Sequence, residues 1–470
     1  MYNLDKNDKL LPMSKNIAHI FFPLICLVFL FFSCSTGPEA YREIDQAVDK
    51  NEFDMAVEDL KKGQKRRRPI YPEKNAISLY IDKGLLEHYA GNYAISSQDL
   101  QEAERLIQEA FTKSVTADLA SYIANDNTKE YPGEDFEDIY INVFNALNYY
   151  NRGNIDGALV EIRKLTISSG KLDMLSRKYE NARRSRGGNG AAETLRGFGM
   201  SPDDAMPRGK PVEFSNSALA RYLSALFYLS DGNADDARIE FEQLQAAFDS
   251  NAKVYNYPFP QSAVDLQNVP AEKARLNIIS FAGLSPIKEE EQFTVSFPLA
   301  YSILCQPVFK LPKFVKRRSA ITRIEVVVEG EEGKFDLELL EDMGAVIEET
   351  YNARFSQIFY KTFIRLLTKY AAVAVAATAA KERGGDYAEL VALSTIIGGK
   401  AAADASEGAD IRMSRYLPDK AYIGGINLDP GTYNITINYY SGSRVIAQDE
   451  RRDVVVRVNA PNLIETISLK

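Results

Sequence analysis

Histidine and cysteine are the side chains most often used as metal ligands, catalytic bases and nucleophiles. This chain of 470 residues holds two of the first, His19 and His88, and three of the second, Cys26, Cys34 and Cys305. The cysteines show no CxxC spacing and no Cys/His cluster, so neither a zinc site, another metal site nor a His-based triad has its raw material, and nothing calls for a cofactor. His88 lies in a helical pattern beside Leu85, Leu86 and Tyr89 and reads as a packing or surface residue rather than a base. Carboxylates are plentiful, as in Glu134, Asp135, Glu137 and Asp138, or Glu289 to Glu291. Two acids facing each other across a cleft can hydrolyse a glycosidic bond, but the spacing selects no pair, and acidic runs are ordinarily solvated faces. The glycines of GGNG at 187–190 do not stand between a strand and a helix, as a phosphate loop requires. Asp410, Arg412 and Arg415 form the best candidate polar site, just before a series of β runs. The plainer alternative is an ion pair locking helices to a sheet.

Cys34 has different neighbours. Lys6, Lys9 and Lys15 precede an apolar run from Ile20 to Phe32, and Ser33 then supplies a small residue before Cys34. Such a run is shorter than the roughly 20 residues of a spanning helix and suits a secretory signal. Phe31-Phe32-Ser33-Cys34 resembles the lipobox of bacterial lipoproteins. The resemblance implies cleavage between Ser33 and Cys34, acylation of Cys34, and a membrane anchor; an uncleaved signal anchor is the alternative. Residues 1–33 are thus read as a lipoprotein signal peptide. Ser35, not Asp, follows the cysteine, which by resemblance to the enterobacterial sorting rule implies the outer membrane, facing the periplasm. Cys305 would remain the one unmodified thiol, so no intramolecular disulfide forms.

The elements that would position any site begin with a motif that recurs four times: NEFDMA at 51–56, GNYAIS at 91–96, GNIDGA at 153–158 and GNADDA at 232–237. Its first position is Asn51, Gly91, Gly153 or Gly232, and its sixth is Ala56, Ser96, Ala158 or Ala237. Apolar residues on either side keep helical spacing. Gly predicts a left-handed cap ending the first helix, Asp a cap starting the second, and Ala a close approach between the two. An irregular array of tetratricopeptide-like (TPR-like) helical hairpins over 34–260 follows, with a mobile insertion at about 176–213. A nucleic-acid role for Arg183, Arg184 and Arg186 in that insertion fits poorly with an exported chain of net charge −9.

The period changes near 275. Strands are expected at 275–281, 293–297, 321–329 and 334–340, then a long helix over 344–382 and a second at 386–404. FIRLLTKYAAVAVAATAA contains Arg365 and Lys369, so it reads as a buried alanine-rich helix packed on the sheet rather than a membrane span. Residues 270–415 thus form a mixed strand and helix region. Short β runs fill 416–470, with a type II turn within Leu428-Asp429-Pro430-Gly431-Thr432-Tyr433, Pro430 fixing the first central φ and Gly431 supplying the positive one, and read as a small antiparallel β module. The fold class is α+β: the helical array, a mixed α/β region and the C-terminal β module.

Several ordered stretches carry a wider resemblance: YINVFNALNYYNRGNIDGALVEIRKL at 140–165, ALARYLSALFYLSDGNADDARIEFEQL at 218–244, GLSPIK at 283–288, ADIRMSRYLP at 409–418 and LDPGTYNITI at 428–437. Together they resemble a family of bacterial outer-membrane lipoproteins with tetratricopeptide-like repeats. The resemblance implies a periplasmic, outer-membrane-associated lipoprotein with no established catalytic activity, an accessory factor in cell-envelope or peptidoglycan assembly; the stacked hairpins point to a scaffold or adaptor that binds envelope proteins, and the acidic exported chain to no nucleic acid. A peptidoglycan-binding or glycan-hydrolysing protein with its site in the second half is the alternative. Lys61, Lys62, Lys65, Arg66, Arg67 and Arg68 reverse the local charge of an acidic chain. If the first repeat turns at 51–56, position 65 returns near position 40, close to Cys34, which places this cluster at the lipid surface. The plain alternative is a solvated helix end whose cations suit the helix dipole.

Overall fold

The computed structural model describes residues 38–115, 128–167, 170–184, 214, 216–294, 297–299, 303–331 and 333–470. Ser33, Cys34 and the glycines at 187–190 lie outside them. The fold is α+β. The described residues divide between a larger unit (38–292, 310–365, 409–470) and a smaller one (293–309, 366–408).

In the larger unit the four motifs turn four antiparallel hairpins: α1 (Arg42–Asp49) with α2 (Phe53–Gln64), α3 (Ala76–Tyr89) with α4 (Tyr93–Val115), α5 (Asp135–Asn151) with α6 (Ile155–Thr166), and α8 (Ala218–Ser230) with α9 (Ala234–Ser250). The first motif residue has φ of 60° at Asn51, 78° at Gly91, 73° at Gly153 and 75° at Gly232. Those are left-handed values that end a helix. No atom crowds a Cβ at the three glycines, so the backbone angle alone asks for Gly there, and Asn51 is of the other residue type that tolerates it. The sixth motif residue, Ala56, Ser96, Ala158 or Ala237, is fully buried in every copy, where a larger side chain would force the paired helices apart.

Two local expectations need correction. The second helix is capped not by the Asp of the motif but by the Asn two places before it. Asn154 Oδ1 accepts from Gly157 N at 2.8 Å, and Asn233 accepts from Asp236 N. An Asn at the cap position reaches the third helical amide, whereas the Asp already lies in the first turn. The insertion at 176–213 also begins as helix, since α7 runs Lys171–Arg184 and buries Leu172 and Leu175.

A short helix α10 (Gln261–Leu266) leads into β1 (Ala274–Leu284), every residue of which is buried from Ala274 to Gly283. One sheet has the order β12 (Leu463–Ser468), β1, β9 (Pro418–Leu428), β8 (Glu338–Asp342); β12 runs parallel to β1 and the other pairs are antiparallel. The other sheet has the order β11 (Arg444–Val456), β10 (Gly431–Ser441), β6 (Arg323–Val328), β7 (Lys334–Asp336), all antiparallel. Leu276 and Ile278 of β1 join Ile324, Val326, Ile435 and Ile437 between the sheets. Ile279 and Phe281, on its opposite face, join the core of the helical array. The larger unit therefore has three layers: helices, sheet, sheet. Strands β2 (Ile287–Thr294) and β5 (Val308–Val315) pair separately, as do β3 (Phe297–Leu299) and β4 (Ile303–Cys305).

The boundary expected at 416 is not a domain boundary. Strands after 416 lie on both sides of β1 and form half of the other sheet, so 416–470 is not a self-contained antiparallel module. Gly431 opens β10 without a positive φ, so the expected type II turn does not form; Tyr433 OH instead donates to Asp429 O at 2.9 Å. The long helix α11 (Met343–Arg383) gives its first part, to Arg365, to the larger unit, with Met343, Val346, Ile347 and Tyr351 buried. The rest belongs to the smaller unit, where it pairs with α12 (Ala388–Ala405) and is not the buried helix expected. Beyond Tyr370, Ala377 is the only buried residue of α11 among the described ones, and Ala403 is that of α12. The two helices offer each other mainly Ala and Gly, and a Cβ on Gly399 would strike Val373 at 2.8 Å. They pack closely, but their outer faces stay open.

A chain ending at Leu417 deprives β1 of both neighbours. Limited proteolysis should then cut within 274–342, and residues 418–470 alone should show no β-sheet circular dichroism; protection in either piece would mean that it folds without the other.

Candidate functional site

A cavity in the larger unit, with a volume of about 250 Å³, opens between helix ends and strand ends. Phe53, Tyr89 and Tyr93 face it from the helices, and Asp449, Arg451 and Glu465 from β11 and β12. At its floor lies His88, completely buried. Its Nδ1 is 2.7 Å from Asn148 Oδ1 and its Nε2 is 2.6 Å from Glu465 Oε1. Asn148 Nδ2 donates to Ser96 Oγ at 2.8 Å, so its oxygen is the end that faces the imidazole, and Nδ1 must carry a proton. Facing a carboxylate, Nε2 is best protonated too. Burial alone would lower the His88 pKa, but the Glu465 charge and the hydrogen bonds that the imidazole donates to Glu465 and Asn148 outweigh it and raise the value above the usual one. Asn151 Nδ2 holds the other Glu465 oxygen at 2.8 Å.

This group is not a hydrolase triad. His88 meets Asn148 rather than a hydroxyl, and Ser96, wholly buried, donates to Gly84 O at 2.7 Å. Asp449 is likewise occupied, by Arg451 at 2.8 Å and Thr466 Oγ1 at 2.8 Å. What the arrangement does chemically is share a proton between a helix and a strand.

The sequence-level candidates separate in space. Arg412 pairs with Asp410 at 2.7 Å, donates to Lys129 O at 2.8 Å and lies over the Tyr131 ring. Arg415 turns instead to Asp45 at 2.5 Å and covers the Tyr41 ring at 4.8 Å. The three residues thus form two clamps from a strap, 409–417, one to the loop that precedes α5 and one to the start of α1. Burial would raise the Asp410 pKa, yet the Arg412 hydrogen bond and charge hold it below the usual carboxylate value. The acidic run disperses as well: Glu134 pairs with Lys288, Asp135 with Lys178 and Asp138 with Lys171. Glu137 is buried and accepts from Tyr131 OH, Glu134 N and Ser414 N. Burial and the Glu134 charge push its pKa up to about 7 against those hydrogen bonds. Glu290 and Glu291 sit across from Lys310 and Lys313.

In the basic run, Lys61 reaches Glu87 at 2.8 Å, Lys62 reaches Asp59 at 3.2 Å and Arg66 reaches Glu43 at 2.6 Å. Lys65, Arg67 and Arg68 are exposed.

Sequence reasoning missed Asp82. Its carboxylate, fully buried, accepts from Tyr71 OH, Ser414 Oγ at 2.6 Å, Arg415 N at 2.8 Å and Tyr416 N at 3.1 Å. A signal existed: Asp82 sits in the apolar stripe of Ile77, Ile81, Leu85, Leu86 and Tyr89. Among the described residues no group of three or more His, Cys, Asp or Glu is placed to hold a metal ion. Compared with protein-family models, curated proteins and solved structures, the chain matches none.

The raised His88 pKa has a definite sign. Its contribution to stability is complete below the unfolded-state value of about 6.5 and is lost as pH rises through the higher folded-state value. His88→Gln should lower stability by roughly 3–5 kcal/mol in mildly acidic buffer, because it strands the buried Glu465. The difference from the parent chain should shrink as pH rises, which thermal melts across pH will check.

Proposed function

We propose that the chain is a lipid-anchored scaffold facing the periplasm, held in the outer membrane through acylated Cys34, which binds envelope proteins during cell-envelope assembly. In this reading it belongs with the repeat lipoproteins that its motifs resemble. The observation that carries it is the basic end of the first hairpin. The contact between Arg66 and Glu43 brings the run back beside α1, and the helical turn Pro38–Tyr41 that leads into α1 begins four residues past Cys34. Four residues span at most about 14 Å, so the acyl chains would hold this end against the bilayer. Lys65, Arg67 and Arg68 make the membrane-facing set; Lys61, Lys62 and Arg66 are engaged by Glu87, Asp59 and Glu43. Each free cation contributes about 1 kcal/mol at an anionic surface, which orients the array more than it anchors it. Stacked hairpins supply a broad surface suited to a protein partner. The buried polar groups described above satisfy one another, which supports a framework over a reaction centre.

Without residues 1–34, the chain should bind anionic vesicles in a salt-sensitive manner, and Lys65, Arg67 and Arg68 changed together to Gln should abolish binding. Equal binding by both proteins, or by neither, would refute the orientation at the membrane.

Incubation with purified peptidoglycan tests the scaffold against a glycan hydrolase. No muropeptides should be released, while crosslinking in intact cells should trap a protein partner; released muropeptides would sink the scaffold reading.

A further inference from the structure

The smaller unit leaves an apolar stripe without a partner. Along α12, Leu390, Leu393 and Ile397 are 64%, 54% and 61% exposed. Their spacing of i, i+3, i+7 places them on one face, turned away from the buried Ala403, and is the pattern of a coiled-coil seam. Large aliphatic side chains aligned in this way on a surface mark a contact site. The hairpin itself is closed away from its turn: Tyr370 OH donates to Asp404 at 2.7 Å, and Lys369 pairs with the buried Glu407 at 2.5 Å.

Lipid is a poor occupant. The segment Thr362–Arg383 is long and apolar enough to cross a membrane by length and composition, but its longest uncharged run goes only from Tyr370 to Ala380. That of α12 runs from Leu390 to Gly399. Each rises about 15 Å, half of a hydrocarbon core of about 30 Å. Charges stand at both ends: Lys381, Glu382, Arg383 and Glu389 at one, Lys369, Lys400 and Asp404 at the other.

The charges beside the stripe fit a second copy of the same helix. Glu389 and Lys400 lie three turns apart on one flank of α12. In an antiparallel pair, residues on the same flank face each other. A two-fold axis between Ser394 and Thr395 sets Glu389 of each copy against the partner subunit's Lys400 and stacks the two apolar stripes. Both groups are available: Glu389 is 88% exposed and Lys400 40%, and their present partners, Lys381 and Asp404, form surface pairs of little worth. We propose that α12 is a self-association element, joining two copies of the chain antiparallel through Leu390, Leu393 and Ile397, with reciprocal pairing of Glu389 and Lys400. The proposal does not rest on the membrane anchor.

The test is sedimentation velocity of the full chain in mild detergent. The parent should dimerise, and Leu393→Asp with Ile397→Asp, both at exposed positions, should give a monomer with an unchanged circular dichroism spectrum. Glu389→Lys and Lys400→Glu should each raise the dimer dissociation constant at least about tenfold, since each sets like charges face to face. Mixing those two variants should restore association, because every facing pair is then opposite in charge. A monomeric parent, a dimer indifferent to Leu393 and Ile397, or no rescue on mixing would overturn the proposal. So would vesicle binding that replaces dimerisation and depends on Leu393 and Ile397, which would identify lipid as the occupant.

Discussion

Strand β1 carries two cores at once, and the larger unit depends on that constraint. From Ala274 to Gly283 it is buried on both faces, so its even positions must suit the sheet beneath and its odd positions the helices above. Ile278 packs against Val326 and Ile437, while Phe281 lies 5.0 Å from Phe144 of α5. Its hydrogen-bonding edges are both filled by strands from the last fifty-odd residues, β12 by parallel pairing and β9 by antiparallel pairing. The end of the chain therefore closes the core that its middle opens. A strand with neither edge nor face in water is a stable centre, but it cannot form until both partners arrive.

Around that centre, buried acids tie distant segments together by collecting amide and hydroxyl donors rather than cations. Glu341 of β8 accepts from Tyr140 OH at 2.7 Å, Ser217 Oγ, Tyr255 OH at 2.9 Å and Leu219 N. It thereby joins the sheet to α5 and to the start of α8, where the helix dipole favours a negative charge. Asp82 does the same for the strap at 414–416 and α3. Burial raises the pKa of both carboxylates despite these hydrogen bonds. Removing a single donor leaves a satisfied group short by one bond, whereas removing the acid strands several donors at once. Such groups fix register and orientation, and the His88 and Glu465 pair adds a protonation state to that duty.

The smaller unit follows a different logic. Its helices are held by short side chains and by polar clasps at the end away from their turn, so close approach costs them little bulk but leaves Leu390, Leu393 and Ile397 outside. Apolar composition alone does not distinguish a core helix from such an exposed hairpin. The difference lies in which elements are present to cover it.

Local chemistry was legible without coordinates. A left-handed turn needs Gly or Asn wherever it occurs, so four copies of the motif announce four hairpins, and a buried sixth position asks for Ala or Ser. Period-two and period-3.6 patterns place the strands and helices for the same reason, as each depends on residues a few places apart. The missed signal of Asp82, a carboxylate in the middle of an apolar stripe, is local in the same sense. Other features depend on residues far apart in the chain. His88 meets Glu465 across 377 positions, Arg415 meets Asp45 across 370, and β1 finds its neighbours beyond residue 417. Hydrophobic period tells a strand which faces to bury, never which strand will lie beside it. Only the tertiary structure could decide that 416–470 completes an earlier sheet, and that the best polar triplet in the sequence is two separate clamps.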